Sequence, residues 1–122
     1  LYQGLEQDNK LVTFARKLKK TDYLINWYET STKIKNKIRA FSPYPGSYTI
    51  LDNKRFKIFE VEYYDFEIDL ITPGSFLIKD DRLIVKTKDS FLSILQVQME
   101  GKNKLAIKDF LSGFKFSEYK FA

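Results

Sequence analysis

Lysine is the residue type in this sequence that most clearly indicates a function, namely the binding of a polyanion. Seventeen of the 21 basic residues are lysine, and most of them lie close together along the chain. The clusters singled out are Lys17, Lys19 and Lys20; Lys33, Lys35, Lys37 and Arg39; and Lys102 with Lys104 in a glycine-containing loop. Grouped lysines attract polyanions as point charges. An AT-rich genome produces the same lysine bias without functional meaning, and both explanations remain open.

The positive charge is concentrated in the first half of the chain. Residues 1–60 contain 12 basic and 6 acidic side chains, whereas residues 61–122 contain 9 basic and 10 acidic side chains. The net charge of +5 therefore comes from the first half. This asymmetry predicts a polyanionic partner. Because arginine is scarce, contact with phosphates is expected rather than reading of base edges.

Several kinds of active site are excluded or disfavoured by composition. The chain has no histidine and no cysteine, so it cannot contain a histidine-based triad, a disulfide or a thiolate metal site. One acidic run alternates with apolar residues and is interpreted as a solvated strand face and loop: Glu60, Glu62, Asp65, Glu67 and Asp69. We expect neither a catalytic nor a metal site. No apolar stretch is long enough to cross a membrane, so no membrane partner is expected either.

The second lysine cluster falls in a predicted helix over residues 30–41. Ile34, Ile38 and Phe41 recur at helical spacing, and Thr30, Ser31 or Thr32 can cap the first turn. Ser42-Pro43 supplies a stop. A strand is the alternative, because the cations also alternate with uncharged residues, but adjacent lysines on one strand face are unfavourable.

The rest of the chain is predicted to be mainly β. Strands are expected at residues 48–51, 55–63, 75–79, 82–87 and 91–98, with a bulge in the last strand and a short helix at 107–114. The predicted fold class is α+β: a small OB-like Greek-key barrel of about five strands, with a helix before and a short helix after. Trp27 and five strand aromatics are expected in the interior rather than stacked on bases: Phe56, Phe59, Tyr63, Phe76 and Phe91.

An ordered set of motifs resembles the C-terminal domain of methionyl-tRNA formyltransferases. The set begins with Ile25-Asn26-Trp27 and continues with Ile34 and the run IRAFSPYPGSY at residues 38–48. Residues 7–18 are similar to the family's linker. Further matches are Lys57-Ile58, Pro73-Gly74, Leu95-Gln96, Gly101-Lys102, and Phe110-Leu111 with Gly113. Asn26 and Met99 depart from the family's usual Asp and Pro.

The resemblance implies a tRNA-binding domain at residues 21–122, preceded by a basic linker at residues 1–20. It implies a parent enzyme whose N-terminal Rossmann-like domain holds 10-formyltetrahydrofolate and the catalytic residues; the absence of an initiator methionine fits a fragment of that enzyme. The nine basic residues named above would contact initiator methionyl-tRNA. A monomer in the cytoplasm is expected.

Alternatives stay open both for single residues and for the whole domain. Arg39 could form a structural ion pair, and Lys102 and Lys104 could simply keep a loop soluble. The whole domain could instead be a structural or substrate-lid domain of a sugar-nucleotide or tetrahydrofolate-linked formyltransferase relative that does not bind RNA.

Overall fold

The structure, a computed structural model, describes residues 23–121. Two helices lie on either side of the strand region in the sequence, α1 (Ser31–Phe41) and α2 (Ile107–Gly113). Six strands fall within these residues: β1 (Ser47–Leu51), β2 (Lys54–Tyr64), β3 (Phe76–Lys79), β4 (Arg82–Lys86), β5 (Phe91–Met99) and β6 (Lys104–Ala106). They form one antiparallel sheet in the order β1-β2-β5-β4-β3, with β6 paired to β5.

The mainly β architecture with a helix before and a short helix after is confirmed. The structure has six strands where about five were predicted, because the three-residue β6 is too short to show periodicity. Among residues 23–121, strand pairing runs from β1 to β3 without joining those two ends, so the sheet is open rather than a hydrogen-bonded barrel.

Short segments outside the sheet cover its two edge strands. The backbone N–H of Ile25 donates to Tyr48 O of β1 at 2.8 Å. At the other edge, the N–H of Phe76 in β3 donates to Tyr119 O, and the N–H of Phe121 donates to Gly74 O. The rings of Trp27 and Phe121 stack with centroids 5.4 Å apart. The two edges therefore approach each other through side chains.

Helix α1 begins and ends where its local residues predict. Thr30 caps it, because its Oγ1 accepts a hydrogen bond from the N–H of Lys33 at 3.2 Å. Ile34 and Ile38 are each 1% exposed and face the sheet. The chain then leaves the helix at Ser42-Pro43, whose peptide bond is cis. The helix interpretation is confirmed and the strand alternative is wrong.

The two tight hairpins depend on residues that tolerate positive φ. Asp52 and Asn53 join β1 to β2 with φ of 52° and 63°. Asp80 and Asp81 join β3 to β4 with φ of 53° and 62°. Consecutive residues of this kind fit the right-handed twist of the paired strands, and Asp and Asn adopt the conformation at lower cost than other non-glycine residues. Both turns fall in the gaps between strands that the sequence predicts, at residues 52–54 and 80–81.

The strand aromatics divide between the interior and the surface. Trp27, Phe56, Phe59 and Phe76 are buried, as expected. Tyr63 is 47% exposed, so its predicted burial is wrong: it lies near the end of β2, where its hydroxyl donates to Thr32 Oγ1 of α1 at 3.4 Å. Phe91 is half-buried, beneath the ammonium of Lys86.

Strands β2 and β5 each carry an irregularity at the same level. Ile58 pairs with Val97, Glu60 with Gln96, and Val61 with Ile94. Phe59 in β2 is therefore an extra residue, and so is Leu95 in β5, which confirms the predicted bulge in the last long strand. Such bulges change which face the following residues occupy.

Candidate nucleic-acid interface

The four cations of helix α1 lie on two opposite flanks of its buried stripe. Lys33 and Lys37 share one flank, and Lys35 and Arg39 share the other, because residues four apart in a helix are neighbours. The predicted group is therefore not one continuous surface. The remaining predicted residues of the linker, Lys17, Lys19 and Lys20, lie outside the described residues.

Two of these lysines are held by the protein itself. Lys35 Nζ donates to Val61 O of β2 at 3.1 Å and lies 5.5 Å from the ring centroid of Tyr63. Lys37 Nζ donates to Leu24 O at 2.7 Å. Each lysine thus connects α1 to a neighbouring segment through one of the three donors of its ammonium group. Lys33 and Arg39 are exposed, and within residues 23–121 no acidic side chain lies within 4.0 Å of the Arg39 guanidinium.

A second group of cations lies on the outer face of the sheet. In adjacent strands Lys57 pairs with Gln98, and Gln98 pairs with Lys104, so the three side chains form one row across β2, β5 and β6. Tyr48 of β1 extends the row, since it pairs with Lys57. Arg55 lies two residues before Lys57 in β2, on the same face of the sheet. Its guanidinium is 5.2 Å from the Tyr48 ring centroid.

Phe59 joins this row to the Lys35–Arg39 flank of α1. Lys104 Nζ lies 4.6 Å above the Phe59 ring. Phe59 also lines a surface cavity of about 320 Å³ together with Lys35, Arg39 and the carboxylate residue Glu60. Phe59 thus brings three of the nine predicted cations, Lys35, Arg39 and Lys104, to one surface with Lys57.

Gly46 allows this arrangement. Its φ is +89°, and a Cβ at this position would lie 3.0 Å from Phe59 and 3.3 Å from Lys57. A larger residue would therefore push the turn after α1 away from the sheet. This close approach gives Gly46 a structural role in the turn after α1.

We call the resulting surface the basic face; it consists of Lys35, Arg39, Arg55, Lys57, Lys102 and Lys104, with Tyr48 and Phe59 between them. Lys102 lies in the exposed β5–β6 turn, whose backbone is held by a hydrogen bond from Gln98 Nε2 to Lys102 O at 2.8 Å. Sequence reasoning missed Arg55 and Lys57. Their alternation with buried Phe56 and Ile58 could have placed them on an outer face, but their pairing partners are not readable from the sequence.

The acidic run begins in the second half of β2 and continues into the loop that follows it. Glu60, Glu62, Asp65, Glu67 and Asp69 are all exposed, as predicted. Glu62 accepts a hydrogen bond from Arg82 at 3.2 Å, the one ion pair within residues 23–121. Charge thus changes sign along β2, from the basic start at Lys54 to the acidic end.

Asp89 fixes the start of α1 on the β4–β5 loop. Its Oδ1 accepts the N–H of Ser31 at 3.0 Å, and the hydroxyls of Ser31 and Thr87 are hydrogen-bonded at 2.7 Å. The Ser31 N–H is the largest influence that lowers the pKa of Asp89, with a smaller contribution from Thr87. This contact positions the helix that carries Lys35 and Arg39.

The described part of the chain shows neither a metal cluster nor a membrane helix. No group of three or more Asp and Glu side chains within residues 23–121 is arranged to hold a metal ion. No helix in that range is long and apolar enough to span a bilayer.

The family match and the similar proteins both relate this chain to formyltransferases. Residues 17–115 match the family described as "Formyl transferase, C-terminal domain". The chain is 37% identical over 111 residues to a methionyl-tRNA formyltransferase of Carboxydothermus hydrogenoformans, a match that covers 89% of the chain and 35% of that protein. It is 38% identical over 109 residues to the methionyl-tRNA formyltransferase of Rickettsia bellii, with 89% and 35% covered.

Solved structures agree at the level of the fold. HypX from Aquifex aeolicus in complex with tetrahydrofolic acid matches with a TM-score of 0.60 and 18% identity, over 85% of this chain and 21% of that one. The chain spans about a third of the length of the curated relatives it matches. Because the family match extends over most of the sequence and includes every element of the sheet, the chain belongs to the family of formyl transferase C-terminal domains.

Proposed function

We propose that this chain is the tRNA-binding and tRNA-positioning domain of a methionyl-tRNA formyltransferase. The observation that carries the proposal is the basic face, where cations from α1, β2 and β6 surround two aromatic rings. Clustered cations suit a phosphate backbone, and the buried rings of Tyr48 and Phe59 hold Arg55 and Lys104 in place from below. The relatives named methionyl-tRNA formyltransferase support initiator methionyl-tRNA as the partner.

The domain contributes by position rather than by chemistry. Residues 1–20 form a basic linker to an N-terminal Rossmann-like domain, which binds 10-formyltetrahydrofolate and transfers the formyl group to the amino group of methionyl-tRNA. Binding energy gained on a remote part of the substrate is used to hold the reacting amine in place. The enzyme acts as a cytoplasmic monomer in translation initiation. The acidic end of β2 repels RNA and so favours one orientation of the domain.

The salt dependence of binding tests this proposal. About four cations of the basic face that each neutralise one phosphate give a slope of log affinity against log salt near −3.6. Fluorescence anisotropy of labelled initiator tRNA, titrated with the 122-residue chain at several KCl concentrations, measures the slope. A slope close to zero, or no binding at low salt, contradicts the proposal.

A second candidate function follows from the fold match to HypX. A domain with this fold can also serve as a structural or substrate-lid domain in a sugar-nucleotide or tetrahydrofolate-linked enzyme that does not bind RNA. Removal of the basic-face charges would then leave turnover of the intact enzyme unchanged. Under the first proposal, the same change raises KM for tRNA.

A further inference from the structure

A cavity of about 330 Å³ lies beside the basic face, between the β1–β2 turn, the β5–β6 hairpin and α2. Its apolar floor is formed by Met99, Leu105, Phe110 and Phe114, and the charged side chains of Lys54 and Lys102 lie at its rim. Specific small-ligand sites share this combination of an apolar floor and a few polar groups, and this cavity has the size of the smallest of them.

The floor is part of an aromatic column. Phe56 and Phe110 have ring centroids 5.0 Å apart, and Phe110 stacks on Phe114 at 4.8 Å with an interplanar angle of 22°. Phe110 is 6% exposed, whereas Phe114 is only half-buried. Phe116 packs edge-on against Phe114 at 4.8 Å, and the part of Phe114 that lines the cavity is available for contact with a flat ring. Stacking of this kind accepts any base, because each base has a π-face.

The polar groups of the cavity favour a base with N–H donors. Asp109 is exposed at its edge, and no ion pair within residues 23–121 occupies its carboxylate. A carboxylate offers two acceptor oxygens, which match the adjacent N–H donors on the Watson–Crick edge of guanine. Asn103 adds an amide. Asp52 also lines the cavity, but its Oδ1 already accepts a hydrogen bond from Ser117.

The cavity is continuous with the basic face. Met99 lines both the cavity and a neighbouring groove formed with Arg55 and Lys57. Lys54 and Lys102 line the cavity, and Lys54 directly precedes Arg55 in β2, so the cavity lies next to the row of cations. A strand of RNA that follows the row places its phosphates against these lysines and one base over the cavity.

We propose that this cavity receives one unpaired, extruded base of the bound RNA, with guanine preferred. Phe114 stacks on the base, Asp109 accepts from its Watson–Crick edge, and Lys54 and Lys102 contact the phosphates on either side. This inference rests on the proposed RNA-binding function and adds a base-specific contact to it. It predicts that recognition includes an unpaired nucleotide and not only the shape of the backbone.

The test uses two labelled RNA-backbone decamers bound by the full 122-residue chain at low salt. One consists of abasic spacers throughout, and the other carries a single central guanosine. We expect the guanosine to tighten binding about tenfold. Asp109→Asn should reduce that gain about threefold, because the amide keeps only one acceptor.

A substitution that fills the cavity tests its role in binding without disturbing the fold. Gly113 lines the cavity, and a Cβ there meets no atom within 4 Å, so Gly113→Leu should occupy the space and abolish the guanosine gain. Ser112→Leu adds the same side chain one residue away, outside the lining, and should keep the gain. Melting temperatures establish that both variants are folded.

The outcomes separate the two proposals. Equal affinity of the wild-type chain for both decamers, or a guanosine gain that survives in Gly113→Leu, overturns the cavity assignment while RNA binding stands. Failure of both decamers and of initiator tRNA to bind overturns the proposed function and the cavity assignment together.

Discussion

If the domain binds tRNA as proposed, removal of two charges from the basic face should weaken that binding by an amount that can be calculated at each salt concentration. Lys57 and Lys104 lie in one row across the sheet, separated by Gln98, and neither has an acidic partner within residues 23–121. If each neutralises one phosphate, the double substitution Lys57→Gln with Lys104→Gln reduces the magnitude of the salt slope by about 1.8. We assume that the two lysines contribute nothing to affinity at 1 M salt. The double substitution then weakens tRNA binding about 60-fold at 0.1 M salt and about 9-fold at 0.3 M salt.

Fluorescence anisotropy with initiator tRNA at several KCl concentrations measures these ratios. The matched control is Lys79→Gln with Lys88→Gln, which removes the same charge from exposed positions outside the basic face. The control should lower affinity far less and leave the slope nearly unchanged. Loss of the Lys104–Phe59 contact costs about 0.5–1 kcal/mol, so unfolding curves must show that the variant is folded. Equal slopes for both pairs would refute the idea that the row forms the phosphate contact.

Two further predictions concern the elements that position the basic face. Asp89→Ala should lower the free energy of unfolding by about 1 kcal/mol at pH 7. The folded-state pKa of Asp89 is below its unfolded value. The stabilisation by Asp89 is therefore present above about pH 4 and is lost as the pH falls through the folded pKa. In urea unfolding, the difference in free energy of unfolding between the wild-type chain and Asp89→Ala should be smaller at pH 3 than at pH 7. Gly46→Ala should destabilise the domain by about 1–2 kcal/mol, because of its φ of +89° and the 3.0 Å approach to Phe59. In Gly113→Ala the added Cβ is unobstructed, so equal urea midpoints for the two alanine variants would contradict the Gly46 argument.

Local sequence signals predict much of the fold. Thr30 and Ser42-Pro43 mark the two ends of α1, and the Asp-Asn and Asp-Asp pairs mark the tight hairpins. These signals act over a few residues, so they are readable in the chain itself. Strand β6 was missed for the opposite reason: its three residues are held by pairing with β5, which no local pattern reveals.

The composition of the basic face was only partly predictable. Sequence spacing named Lys33, Lys35, Lys37, Arg39 and Lys104 as candidates for RNA contact, and in the structure Lys35, Arg39 and Lys104 share one surface, whereas Lys33 and Lys37 lie on the opposite flank of α1. The meeting of distant residues depends on cross-strand register and on the bulge at Phe59. Those features arise from pairing between strands some 40 residues apart in sequence, as for Lys57 and Gln98, and short-range periodicity carries no information about them.

The stack between Trp27 and Phe121 links the exposure of Trp27 to the self-association of the domain. Tyr119 O accepts the N–H of Phe76 at the start of β3, and the N–H of Phe121 donates to Gly74 O just before that strand. An uncovered strand edge is a template for pairing with another chain. If the segment at Tyr119–Phe121 detaches, the same event opens the β3 edge and exposes Trp27. Trp27 is the sole tryptophan, so a change in tryptophan fluorescence should accompany the exposure of the β3 edge that allows self-association.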